Sequence, residues 1–116
     1  MNFPIDQITD LKPYCKKLSS FEEGGFTFFL LEKLKLPDGC SPMECDALLC
    51  PVPKDGYESR LYFEIKIECR YPRNWNAVGV RIGQRNWSAF SWKVVLPGAT
   101  LKDLLIAHLN GFAKAA

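Results

Sequence analysis

The chain has 116 residues, 47% of them hydrophobic and 24% charged, proportions that fit one globular domain and exclude a disordered, collagen-like or short-repeat sequence. Its 15 Lys and Arg against 13 Asp and Glu leave a formal charge of +2, too little to imply nucleic acid by itself. The 5 cysteines are odd in number, no basic leader and apolar core open the sequence, and the longest apolar run, Phe26 to Leu31, is far too short for a bilayer, so we expect a cytoplasmic protein with reduced thiols.

Ile5, Ile8, Leu11, Cys15 and Leu18 recur at three- and four-residue steps, which predicts an N-terminal helix. Thr9 or Asp10 would cap it, Pro13 would fall in its first turn, and Glu22-Glu23-Gly24-Gly25 would end the segment. Phe26 to Leu36 reads as a strand closed by the turn residues Pro37-Asp38-Gly39. A second strand is expected at Glu44 to Cys50, stopped by Pro51, Pro53, Asp55 and Gly56. Leu61, Phe63, Ile65 and Ile67 alternate with Tyr62, Glu64, Lys66 and Glu68, as in a strand of an antiparallel sheet covered on one side. Asn76 to Ile82 supplies a fourth short strand. Thr100-Leu101-Lys102-Asp103 then resembles a capping box and starts a helix whose apolar stripe is Leu101, Leu104, Leu105, Leu109 and Phe112. The expected fold is an α+β domain over residues 1–116, with helices laid on an antiparallel meander.

Charge is unevenly placed. Between Cys69 and Lys102 lie Arg70, Arg73, Arg81, Arg85, Lys93 and Lys102 with no acidic residue, and the same stretch holds Trp75, Trp87 and Trp92. This cationic, aromatic half is the expected docking half.

Several motifs carry a resemblance to a known family. Leu36-Pro37-Asp38-Gly39 is followed by Cys45-Asp46-Ala47-Leu48-Leu49-Cys50 and by Pro51-Val52-Pro53-Lys54-Asp55-Gly56-Tyr57, a strand running into a turn with proline and tyrosine. Arg70-Tyr71-Pro72-Arg73-Asn74 is similar to a tyrosine–histidine–proline–asparagine signature, with Arg73 where the histidine would stand. Phe90-Ser91-Trp92 precedes Pro97-Gly98 and the capped helix. Together, over about 26–112, these resemble the bacterial E2-like (ubiquitin-conjugating, UBC-fold) family found with ubiquitin-like proteins and E1-like enzymes.

The resemblance implies a UBC-like order of N-terminal helix, three- to four-stranded meander, irregular tryptophan-rich active-site-like segment and C-terminal helix. It also implies a component that accepts the C-terminus of a ubiquitin-like protein from an E1-like adenylating enzyme, with anti-phage defence as its setting and no cofactor of its own. No cysteine follows Cys69, so the usual thioester cannot form at the family's position. Either a serine takes its place, as an oxyester, or the domain binds or scaffolds its partners without catalysis.

Ser91 is the first candidate acyl acceptor and Ser88 the second; a hydroxyl needs a base or firm positioning to react. Their plain alternative is a pair of small polar residues facing water between aromatics. Asn74 would donate to a developing oxyanion, or else simply serve its turn. His108, the only histidine, is the only imidazole base on offer, yet its spacing puts it at the buried stripe. Cys40, Cys45 and Cys50 lack the pair spacing of a zinc site, and no metal is expected. Cys69 is an outside candidate for the acyl group.

Arg73, Arg81, Arg85, Trp87 and Trp92 are the candidate partner-binding residues, through complementarity to an acidic face. The rival from another class is a cationic-aromatic module stacking on single-stranded nucleic acid.

Overall fold

The computed structural model of the chain describes residues 3–113; Met1, Asn2 and 114–116, at the two ends of the expected single domain, lie outside that description. A short helix α1 (Ile5–Thr9) leads through a 3-10 turn at Lys12–Tyr14 into six strands. These are β1 (Lys17–Glu23), β2 (Phe26–Lys35), β3 (Glu44–Cys50), β4 (Arg60–Phe63), β5 (Ala77–Ile82) and β6 (Arg85–Ala89), followed by α2 (Leu101–Leu109) and a second 3-10 turn. The strands form one antiparallel sheet in the order β1-β2-β3-β4-β6-β5.

This corrects the expected fold class. The UBC-like helix–meander–helix layout is overturned by a mostly β domain of six strands with two short helices. Two misreadings account for the difference. The N-terminal helix stops at Thr9, its N-cap is Pro4 rather than Thr9 or Asp10, and Pro13 belongs to the 3-10 turn. From Cys15 the backbone is extended, and Lys16 N–H donates to Glu32 at 2.8 Å, opening the β1–β2 ladder. The helix-like spacing has another origin: Ile8, Leu11, Cys15 and Leu18 all pack on one core cluster, although the helix itself ends at Thr9, while Phe21 in β1 packs on the opposite cluster. Gly24-Gly25, both at positive φ, is a two-residue hairpin turn joining Glu23 to Phe26. β5 falls where the fourth short strand is expected, but the stretch after it, expected to be irregular, folds back as β6 in a second such hairpin turning at Gly83-Gln84.

β2 and β3 lie where the sequence places them, and the capping box of α2 is present in both directions. β4 is shorter than the expected run to Glu68. Asp46 N–H donates to the Glu64 carboxylate (2.6 Å) instead of to a backbone carbonyl, which ends the ladder and leaves Ile65 48% exposed. That polar knot extends further. A bulge in β2 turns the Lys33 N–H onto Asp46 Oδ1 (2.9 Å), and Arg85 reaches Asp46 Oδ2 (3.1 Å) and Glu64 (3.9 Å).

The sheet is buried on both faces, not one. Phe29, Leu31, Leu49, Leu61 and Phe63 face α2 and the N-terminal segment, through Leu11, Leu101, Leu105 and Phe112. Phe28, Leu48, Tyr62, Trp87 and Ala89 form a separate cluster on the opposite face. Among the described residues nothing helical packs on this second cluster; the sheet curls over it. Although β1 and β5 are the outer strands, the β5–β6 turn reaches β1: Gly83 N–H donates to the Glu23 carboxylate (3.2 Å), and a Cβ at Gly83 would sit 3.0 Å from the Phe21 ring. Among the described residues no helix is long and apolar enough to cross a membrane.

Gly83 therefore carries two demands, a left-handed backbone and space beside Phe21. Gly83→Ala should lower unfolding free energy by about 2 kcal/mol or more, from backbone strain plus the clash. Gly79→Ala, with φ +68 but nothing within 4 Å, should cost only the backbone part, about 1 kcal/mol. Urea unfolding of the two variants reads the difference; equal losses would mean that the hairpin does not close against β1.

Candidate functional site

Where β6 ends, Ser91 emerges exposed from a buried run of Trp87, Ser88, Ala89 and Phe90. Its N–H donates to the Asn74 carbonyl at 2.7 Å, so the two segments singled out in the sequence do meet. The contribution of Asn74 is to hold the Ser91 backbone. A different side-chain amide stands at the hydroxyl end: Asn76 donates through Nδ2 to the Tyr57 hydroxyl at 2.7 Å, and the Tyr57 hydroxyl donates to Ser91 Oγ at 3.3 Å.

Tyr57 is delivered by local chemistry. Asp55 and Gly56 both have positive φ, and Lys54 and Tyr57 exchange backbone hydrogen bonds of 2.8 and 3.0 Å across them, forming a tight two-residue turn. Beneath the phenol lies Arg60, only 5% exposed, with its guanidinium 4.1 Å from the Tyr57 ring centroid and bonded to Asn76 Oδ1. Among the described residues Arg60 makes no ion pair, and its Nε has no partner. The ring faces of Tyr57 and Tyr62 (5.7 Å) meet its charge instead. The result is a chain from Arg60 through Asn76 and Tyr57 to an exposed serine hydroxyl. The Tyr57 phenol is held below its usual range, first by the hydrogen bond with Ser91, then by Asn76 and the charges of Arg60 and Lys93, against the opposing effect of burial.

The other candidates fall elsewhere. Ser88 is 7% exposed and paired with Phe63 inside the sheet, so it is out of reach of a reagent. His108 is buried on α2 and bonded through Nε2 to Ser59 Oγ at 2.8 Å, not to Ser91. Desolvation, with the Arg60 charge second, lowers its pKa from 6.5 to about 4. Burial holds the Cys40 thiol up at about 11 and that of Cys45 at about 12, and raises Cys50, so none offers a ready thiolate. Cys69 is half-buried and donates to the Tyr71 carbonyl at 2.8 Å. Among the described residues no three His, Cys, Asp or Glu side chains are grouped to hold a metal.

No family model, curated protein or solved structure matches this chain. Its function therefore has to be read from its own site.

The docking half is also rearranged by folding. Trp87 is buried and donates to the Ile82 carbonyl (2.9 Å), while Trp92 is half-buried and donates to Ala107 on α2 (3.1 Å). Arg85 stacks on Trp87 (4.6 Å) and pairs with Asp46. Arg73 clamps the Gly111 carbonyl beyond α2. Arg81 is exposed on β5, and Lys93 is exposed beside the Ser91 site. Aromatic stacking on single-stranded nucleic acid needs exposed rings, and the best-placed tryptophans here are structural. Tyr57, Asn76 and Arg60 escaped the sequence reading as a site; the Asp55-Gly56 turn, which fixes an aromatic just after itself, was the available signal.

His108 sets a pH dependence of stability. A folded-state pKa below the unfolded value of 6.5 means that its contribution is complete above pH 6.5. As pH falls, the unfolded chain takes up a proton that the folded chain refuses, and the contribution is lost down to about pH 4. The loss should approach roughly 3 kcal/mol. His108→Gln, which can still bond Ser59, should flatten this part of the profile in urea titrations between pH 7.5 and 4.5; an unchanged slope would assign it to other groups.

Proposed function

We propose that the chain is an acyl-accepting component of a bacterial ubiquitin-like conjugation pathway, with Ser91 as the acceptor. The observation that carries the reading is the exposed Ser91 hydroxyl joined to Tyr57, with Asn76 and Arg60 behind it. The order of motifs from Leu36-Pro37 through Asn74 to Phe90-Ser91-Trp92 and the capped helix supports it as a resemblance. The architecture lends no support, since the sheet is not the UBC one.

In this reading an E1-like enzyme presents the C-terminal acyl group of a ubiquitin-like protein, activated as an adenylate or enzyme thioester. Ser91 Oγ attacks the acyl carbon, its proton passes to the Tyr57 oxygen in the fraction of molecules where that phenol is ionised, and the activating group departs with the bonding pair. Asn76 and Arg60 favour the phenolate form, the amide by donation and the guanidinium by charge. The product is an oxyester that retains the acyl group for transfer to an acceptor. The buried Ser59–His108 pair plays no part in the step.

Intact-mass analysis after mixing the chain with a ubiquitin-like protein, its E1-like enzyme and ATP tests this directly. A hydroxylamine-labile adduct is expected, absent in Ser91→Ala and retained in Ser88→Ala. Tyr57→Phe, which keeps the ring over Arg60 and loses the proton acceptor, should slow loading by about 10²-fold. An adduct that persists without the Ser91 hydroxyl would remove the proposal. A stable complex without any adduct would replace it with a non-catalytic adaptor, and salt-sensitive nucleic-acid binding without a complex would replace both.

A further inference from the structure

Independent of acyl transfer, the placement of two cysteines points to a redox site. The segments 40–42 and 67–69 are not strands of the sheet, yet Ser41 and Glu68 form an isolated antiparallel bridge between them. The two residues exchange both backbone hydrogen bonds, at 2.7 and 3.0 Å, so they are a hydrogen-bonded pair. In an antiparallel ladder the next pair along is non-hydrogen-bonded, with Cα atoms about 4.5 Å apart and side chains on one face. Here that pair is Cys40 and Cys69.

Disulfides span Cα separations of about 4.4–6.8 Å, so the register alone brings these residues within bonding range. Burial agrees with the register. Cys40 lies in the core cluster with Ile67, Cys69 packs on its edge, and the two sulfurs are near enough for a charge on Cys69 to act on Cys40. Cys69 also lines the open groove with Tyr71, Arg73 and Trp75, which gives a reagent access to one sulfur of the pair.

We propose that Cys40 and Cys69 form a reversible disulfide that joins the segment 37–42 to the segment leading to Asn74. The co-reactant is a low-molecular-weight disulfide of the glutathione type. The Cys69 thiolate attacks one of its sulfurs, forming a mixed disulfide and releasing one thiolate. Cys40 then loses its proton, attacks the Cys69 sulfur and expels the second thiolate. The protein gives up two electrons and two protons, and the small disulfide leaves as two thiols. Of the two protein sulfurs, the accessible one attacks the small disulfide first and the buried one closes the bond. Closure replaces the present donation from Cys69 to the Tyr71 carbonyl and restrains the chain between Cys69 and Arg73, whose guanidinium holds Gly111.

The test is equilibration of the folded, fully reduced chain in buffers of increasing oxidised-to-reduced glutathione ratio, followed by acid quench, intact mass and peptide mapping. The expected species is lighter by two hydrogens, has lost two of its 5 titratable thiols and yields a Cys40–Cys69 linked peptide. It should return to the reduced form on reversing the ratio. Cys45→Ala should keep the linkage. Cys40→Ala should stop at a glutathione adduct on Cys69, and Cys69→Ser, a change at a half-buried position, should give neither adduct nor linkage. Far-UV circular dichroism of each variant confirms that the chain is folded during exposure. Wild-type protein that accumulates the Cys69 mixed disulfide without closing, that closes onto Cys45 or Cys15, or that keeps all thiols at every ratio would overturn the proposal.

Discussion

The contact on which the rest of the molecule depends is the seating of the β5–β6 turn on β1. Two hydrophobic clusters lie on opposite faces of a single sheet, and α2 is available for only one of them. The other, built on Phe28, Leu48, Tyr62 and Trp87, is shielded from water only because the sheet curls until Gly83 meets Phe21 and Glu23. Burial of these large side chains drives the curl, and a residue without a Cβ at the turn permits the close approach.

That curl also places the site. Because β6 rather than β5 lies beside β4, the chain leaving β6 at Ser91 runs past the segment that links β4 to β5. Asn74 and Asn76 come from that segment, Tyr57 from the turn before β4, and Arg60 from β4 itself. With Ser91 they make five residues, from Tyr57 to Ser91 in the chain, brought together at one end of the sheet. The buried guanidinium is the unusual member. With no carboxylate paired to it among the described residues, its charge acts on the faces of Tyr57 and Tyr62 and on the Tyr57 hydroxyl. Asp46 and Glu64 are committed to Arg85 and to backbone N–H groups, Asp46 to that of Lys33 in the β2 bulge and Glu64 to that of Asp46.

Much of the local structure was legible in the sequence, and its failures have identifiable causes. β2, β3, β5 and the capped α2 carry their own signals: apolar runs, breakers and a reciprocal cap. The N-terminal segment reads as a helix because Ile8, Leu11, Cys15 and Leu18 pack on the same core at helix-like steps, although the chain turns at Pro13 and enters a hairpin that closes at Gly24-Gly25. β4 was read too long because Ile65 and Ile67 continue the alternation, and only the capture of Asp46 N–H by Glu64 shows where pairing ends. Six positive charges and three tryptophans suggested a docking face, but Trp87, Arg85 and Arg73 turned out to hold the fold together.

By itself, then, the sequence determined a globular composition and the positions of β2, β3, β5 and the capped α2. These are local properties: propensity, period and capping act within a few residues. Which strand lies beside which, how far the sheet curls, which arginine is buried without an acid, and whether a tryptophan is core or surface were decided by tertiary structure alone. Each depends on partners far apart in the chain, and a pattern of residue types records that something must be buried without recording against what.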